Sequence, residues 1–480
     1  MQGFKLLERQ SLVRVAVVSF ALLGQLAWSQ APQTMVKPED LGLLVPRNRA
    51  PVEVQDRTVL VHPDQLMSDA GRSKPDKNQE TSKKRQEPVA AKVYVEVGNR
   101  YIIKLPDGTL RSLPKRETTS TDRPFEPIEK DDLASLLKEQ FRGFKTRTTK
   151  RYICVYNTSD SFCKGNMTIL ETMYPMLKSY FKRQKFEVDD PDVPLVVVMF
   201  KNKSDFQKYR KMPDSLLAYY NGVNNRVFLY QYSDVALDAP NIAMQQAVST
   251  IAHEGVHQIL HNIGVQKRLS DWPIWASEGL AEYFSPTSTK GSKWRGVGKP
   301  NPLRMRELFK HFKEVRGLGS GNLVQHVVSA DRLNSTEYAV AWALTHYLME
   351  NAKRRKTFLR YLRDSSDRGP LEKAGDELDI FKEYFGGDEL ASIEREMVRH
   401  VGSLPYVDPV LNQPYYLVAA VSGTRKYAVV TSSLDHAKTR KMLVSKLPPS
   451  ERARVRFLPP QFYRNKQIAQ QALKVFTGKR

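Results

Sequence analysis

Cysteine is almost missing from this chain. Its 480 residues include only Cys154 and Cys163. That excludes a cysteine-rich zinc site and leaves room for at most one disulfide, closing a short loop. Long apolar runs are missing too. The stretch 15–26 is apolar but short for a span of about 20 residues, and no later segment comes closer. No repeat recurs at a period of 20–50 residues, so a solenoid is not indicated. Negative charge is in deficit, with 52 Asp and Glu against 75 Lys and Arg and a formal net charge of +23. Such a balance favours polyanionic surroundings, yet no nucleic-acid-binding motif accompanies it. The cations are spread along the chain, with local clusters at 83–85 and 353–356. The bland reading is a solvated basic surface. The sharper expectation is electrostatic association with an anionic cell envelope.

The first residues read as an export leader. Lys5, Arg9 and Arg14 give a basic start, 15–26 forms the apolar core, and Ala27-Trp28-Ser29 fits a cleavage site. The prediction is a signal peptide over 1–29 and a secreted or periplasmic mature protein. No cysteine follows the core, which argues against a lipoprotein anchor.

Residues 30–92 are rich in Pro, Lys, Asp, Gln and Ser and are expected to be a disordered or linker arm. Residues 93–117 read as an accessory β-ribbon, with strands at 93–97 and 101–105 and a turn signal at Pro106-Asp107-Gly108. From 118 to 404 strands give way to helices. A strand is expected at 152–156. A helix is expected at 167–184, with Leu170, Met173, Leu177 and Phe181 inward and Pro175 placed to bend it. The run 195–200 is continuously apolar, as in a sheet interior. Residues 219–230 read as a hairpin with an Asn-Asn turn, whose second strand would form an active-site edge. After 278 the chain reads as mostly helical. Residues 405–480 alternate strand and helix, with a closing helix at 461–476. The fold class expected is α+β, with a small C-terminal α/β domain.

His253-Glu254-Gly255-Val256-His257 is the feature that carries chemistry. The segment 242–263 has helical periodicity, and Gly264 sits where a C-cap glycine ends a helix. Two His at i and i+4 share one helix face and can reach one ion. A catalytic zinc site takes three protein ligands and keeps a position open for water. Glu278 stands twenty-one positions past His257, at the head of a second helical stretch, 277–284. Glu254, beside the first ligand, is placed to take a proton from the water. Glu282, one turn past Glu278, is the candidate to accept a hydrogen bond from a ligand imidazole. His261 continues the series but drifts off the metal face. The longer pattern H-E-x-x-H-x-x-G-x-x-H fails, because Leu260 and Ile263 hold its Gly and His positions.

The pair His253-Glu254-x-x-His257 and Ser277-Glu278-Gly279-Leu280-Ala281 resembles the gluzincin peptidases, with their N-E-G-F-A-like third-ligand segment. It is most similar to a secreted bacterial group of unknown substrate carrying W-x-S-E-G-L-A-E-Y-F. The resemblance covers roughly 145–400. It implies a zincin-type fold with a mixed sheet and a zinc helix, and one Zn²⁺ held by His253, His257 and Glu278. It also implies a tyrosine about sixty residues past the third ligand that stabilises the tetrahedral intermediate. Tyr338 occupies that position, although the glycine expected after it is absent. The G-x-M-E-N strand of gluzincin aminopeptidases is also absent, which favours an endopeptidase.

The function expected is therefore a secreted zinc peptidase acting on peptide or protein substrates. A non-catalytic binding module on the same fold, a polyanion-binding structural protein, and a zinc amidase acting on cell-wall material are the rival readings. No specific nucleic-acid partner is expected.

Overall fold

In a computed structural model the chain is described over residues 51–54, 56–62, 87–214, 216–232, 240–286, 297–368, 370–372, 375–386 and 389–478. The leader expected at 1–29 lies outside these residues. Helix and strand mix as an α+β protein. The chain divides after Tyr406 into a large unit and a smaller one.

The large unit begins with a six-stranded antiparallel sheet. Its strands are β1 (Val52–Glu53), β2 (Thr58–Val61), β3 (Val89–Val97), β4 (Arg100–Lys104), β5 (Leu110–Pro114) and β6 (Thr119–Thr121). This corrects two expectations. The span 30–92 contributes β1, β2 and the start of β3, and the ribbon is part of a wider sheet. Thr58–Val61 pairs with Val89–Lys92 across the intervening charged stretch. A four-residue strand with two buried valines, Val59 and Val61, gives too short an alternation to stand out from its polar flanks. Nor is the sheet an appendage. Val95, Val97, Ile102 and Leu110 pack with Leu269. The buried Arg268 guanidinium donates to the carbonyls of Gly108, Gly222 and Val223.

Next come α1 (Lys130–Gln140), β7 (Lys145–Thr148), β8 (Tyr152–Tyr156), α2 (Asp160–Arg183), β9 (Leu195–Asn202), α3 (Lys203–Tyr209), β10 (Ala218–Asn221) and β11 (Arg226–Tyr232). These strands form a mixed sheet in the order β10-β11-β9-β8-β7. The apolar run of β9 lies at its centre, parallel to both neighbours and buried along 195–200, as a strand covered on both faces must be. On α2, Leu170, Met173, Leu177 and Phe181 all point inward, and the helix continues through Pro175. The hairpin turn is built on Asn225, whose φ of 59° is the left-handed conformation that asparagine tolerates. The edge assignment within that hairpin was inverted. β11 pairs parallel with β9, so it lies inside the sheet and β10 is the edge.

The helical half comprises α4 (Pro240–Asn262), α5 (Ile274–Phe284), α6 (Pro302–Glu314), α7 (Asn322–Val328), α8 (Ser335–Glu350), α9 (Ala352–Asp367), α10 (Glu377–Phe385) and α11 (Leu390–Ser403). Helix α4 is buried on every side from Ile251 to His261, and α8 from Tyr338 to Met349. A helix buried around its whole circumference lies inside the core and not on its surface. Gly264, at φ 80°, ends the turn after α4. Among the described residues no helix is long and apolar enough to cross a membrane.

The smaller unit holds β12 (Tyr415–Ser422), β13 (Arg425–Thr431), α12 (His436–Ser445), α13 (Pro449–Arg452), β14 (Arg456–Phe457), β15 (Gln461–Tyr463) and α14 (Lys466–Thr477). Residues 461–463 form a strand against β12 and not the first turn of the closing helix. The helix starts later because Asn465 caps it, accepting a hydrogen bond from the Ile468 amide. Positive charge concentrates here: 405–480 hold fourteen Lys and Arg against three Asp and Glu. The excess is thus less evenly spread than the clusters at 83–85 and 353–356 suggested.

Candidate metal centre

Two helices and a glycine assemble the site. Helix α4 presents His253 and His257 one turn apart, and α5 brings Glu278 against them. The Nε2 atoms of the two histidines are 3.2 Å apart. Glu278 Oε2 lies 3.0 Å from His253 Nε2 and 3.5 Å from His257 Nε2. All three residues are buried, and their donor atoms converge on one point where a metal ion could bind. The surrounding charge suits a cation. Glu254, Glu278 and Glu282 are all buried here, against the Arg304 guanidinium and the imidazoles.

Glu282 reaches the far side of His253, with Oε1 3.1 Å from Nδ1. Arg304 Nη2 donates to the same oxygen at 2.5 Å, and Asn301 Nδ2 donates to Oε2 at 2.9 Å. Asn301 has a second task, since its Oδ1 caps α6 by accepting from the Arg304 amide. Glu282 is therefore fixed on both oxygens. An imidazole that donates from Nδ1 presents Nε2 as its free ligand atom.

Electrostatics follow from this packing. Burial alone would lower the His253 pKa, but the contacts with Glu278 and Glu282 outweigh it and hold it at about 10. Burial would raise Glu278, yet His257 and His253 pull it far below the usual carboxylate range. Burial also opposes ionisation of Glu282, and Arg304 and His253 overcome this to hold it at about 2. Glu254 behaves differently. Burial dominates and raises its pKa, as suits a group that accepts and returns a proton. Its Oε2 accepts a hydrogen bond of 2.7 Å from the Tyr220 amide on edge strand β10.

Tyr338 enters from the first turn of α8, buried, with its ring centroid 6.3 Å from that of His253. Burial raises its phenol well above the ordinary value, and the Arg304 guanidinium, stacked 5.0 Å from the ring centroid, acts the other way. Helix α8 comes this close because Gly279 has no side chain. A Cβ there would stand 2.7 Å from the Ala341 carbonyl oxygen and 2.1 Å from Thr345 Oγ1. Gly255 within the histidine motif plays a similar part toward α2, where a Cβ would meet Leu170 and Met173. Close packing accounts for that glycine.

His261 is buried, stacks on Tyr220 at 5.5 Å between ring centroids, and lies outside the donor cluster. Burial lowers its pKa to about 3, so it is a neutral core histidine. Sequence reasoning missed Arg304, Asn301 and the Tyr220 amide. The Asn301-Pro302 pair marks a helix start, but nothing local announces that Glu282 is its partner.

Residues 247–372 match a family model. Its description is "Protein of unknown function (DUF1570)". The match spans about a quarter of the chain and contains every donor, Glu254, Glu282, Arg304 and Tyr338. No curated protein matches the chain significantly.

Proposed function

We propose that this protein is a zinc-dependent hydrolase of the gluzincin kind, cleaving internal peptide bonds in peptide or protein substrates. The observation that carries the reading is the donor triangle of His253, His257 and Glu278, 3.0–3.5 Å on a side, with Glu254 beside it and not part of it. Ligands held tetrahedrally at about 2.0–2.1 Å from one zinc ion stand about 3.3 Å apart, so the triangle fits that ion. Zinc bound there would supply Lewis acidity, lowering the pKa of a water and polarising a carbonyl.

The remaining chemistry belongs to the chain. Glu254 takes the proton from the attacking water and returns it to the leaving amine, and its raised pKa suits both tasks. Tyr338 donates its phenolic proton toward the oxygen on which charge develops, as the gluzincin resemblance implies. Glu282 and Arg304 hold His253 in the ligating tautomer. Edge strand β10, whose Tyr220 amide holds Glu254, would align an extended substrate backbone beside the site. The lack of an amine-holding stretch favours an endopeptidase over an aminopeptidase.

The expected setting is outside the cytoplasm, following the leader read at 1–29. The cation-rich segment 405–480 would hold the protein near an anionic envelope.

Elemental analysis of purified protein tests the site. Near one zinc per chain, lost in His257→Ala, supports it. Glu254→Gln should retain zinc and lose at least about 100-fold in peptide hydrolysis. Absence of zinc after reconstitution would overturn the reading. A zinc-loaded wild type inactive on peptides but active on cell-wall amides would change the substrate class.

A further inference from the structure

The proposed chemistry makes no use of Cys154 and Cys163, yet the fold brings these two residues together. Cys154 lies on β8 within the mixed sheet, and Cys163 lies in the first turn of α2. Both are fully buried, and their Sγ atoms stand 3.2 Å apart. Van der Waals contact between two sulfurs is wider than this, and a modest side-chain rotation would bring them to bonding distance. Arg147, directly opposite Cys154 on β7, sets its positive charge near the pair. Cys163 also sits near the N-terminus of a 24-residue helix, where the backbone dipole favours negative charge.

We propose that Cys154 and Cys163 form a native disulfide that ties the start of α2 to the central sheet. The Cys163 thiolate attacks a sulfur of a small-molecule or protein disulfide and releases one thiolate, leaving a mixed disulfide. The Cys154 thiolate then attacks Cys163 Sγ and expels the second thiolate of the oxidant. The protein loses two protons and two electrons, and the oxidant is reduced to two thiols. Because both sulfurs are buried in the folded chain, the exchange takes place while α2 is still docking.

The link has a structural consequence. The same helix carries Leu170 and Met173, the side chains that lie against Gly255 in the middle of the histidine motif. Tying its first turns to β8 fixes the surface on which the metal-site helix rests.

The full-length chain, refolded from urea in glutathione buffers, tests this without reference to zinc or to hydrolysis. After acid quench, alkylation under denaturing conditions and intact mass measurement, wild type should be two hydrogens lighter than the reduced chain and take up no alkyl group. It should stay so when reduced glutathione exceeds oxidised by about a hundredfold, as buried structural disulfides do. The oxidised form should melt roughly 3–8 °C above both the reduced form and the Cys154→Ser/Cys163→Ser variant. Two alkylated thiols in folded wild type from the oxidising buffer would overturn the proposal. So would a stable glutathione adduct in place of the internal bond, or equal melting of oxidised and reduced chains.

Discussion

Replacing Gly279 with alanine asks whether the approach of α5 to α8 is set by the missing side chain. The added methyl would lie 2.7 Å from the Ala341 carbonyl oxygen, so the backbone of α8 must retreat by about 0.7 Å to reach ordinary contact. Thr345 Oγ1, at 2.1 Å, can rotate away, but a helix carbonyl cannot. Overpacking of this kind costs about 1–3 kcal/mol, and a backbone obstacle belongs in the upper part of that range. The better helix propensity of alanine offsets about 1 kcal/mol. The net expectation is a loss of about 1–2 kcal/mol. Gly255→Ala is the control. Its added methyl meets Leu170 Cδ2 at 2.4 Å and Met173 Cε at 2.7 Å, both side-chain ends, and the methionine can adapt. Its net cost should be about 1 kcal/mol or less. Urea unfolding followed by tryptophan emission reads the correct unit, because Trp272, Trp275 and Trp342 are buried in its core. Adding Thr345→Ala to Gly279→Ala should recover only part of the loss, since the Ala341 carbonyl remains. Metal retention should fall alongside, because Glu278 is the neighbouring residue. If Gly279→Ala proved as stable as wild type, or more stable than Gly255→Ala, the packing argument would be refuted.

Glu282→Gln should cost about 3–5 kcal/mol by breaking the buried ion pair with Arg304, and should weaken metal affinity about 10- to 100-fold. Unfolding and metal competition titrations would check both, and unchanged affinity would remove Glu282 from its positioning role. Glu377 gives a pH signature away from the metal centre. Burial raises its folded pKa to about 6 from the usual 4.5, so folding favours its neutral form. Its contribution is full below about 4.5 and is lost as pH rises through about 6, amounting to at most about 2 kcal/mol. Glu377→Gln should therefore flatten the decline in stability between these pH values, and an unaltered pH profile would count against this. Binding to an anionic matrix should fall steeply with salt. Substituting Arg425, Arg454 and Arg456 by glutamine should reduce the slope of log affinity against log salt by about three, more than the same number of changes within 353–356.

The sequence by itself determined what depends on neighbours along the chain. Helical spacing put His253 and His257 on one face and Glu282 one turn beyond Glu278. The continuous apolar run of 195–200 marked the central strand, Gly264 marked a helix end, and Asn224-Asn225 marked a turn. Each is a local preference of backbone or periodicity, legible without partners. Only the tertiary structure decided which distant groups meet. It joined Thr58–Val61 to Val89–Lys92, and made β10 the edge in place of β11. It placed Arg304 on Glu282, and the Tyr220 amide on Glu254. It also explained Gly255 and Gly279, whose value lies in helices remote along the chain. Strand partners and buried ion pairs are chosen by the shape and desolvation of the whole core, and no window of sequence carries that information.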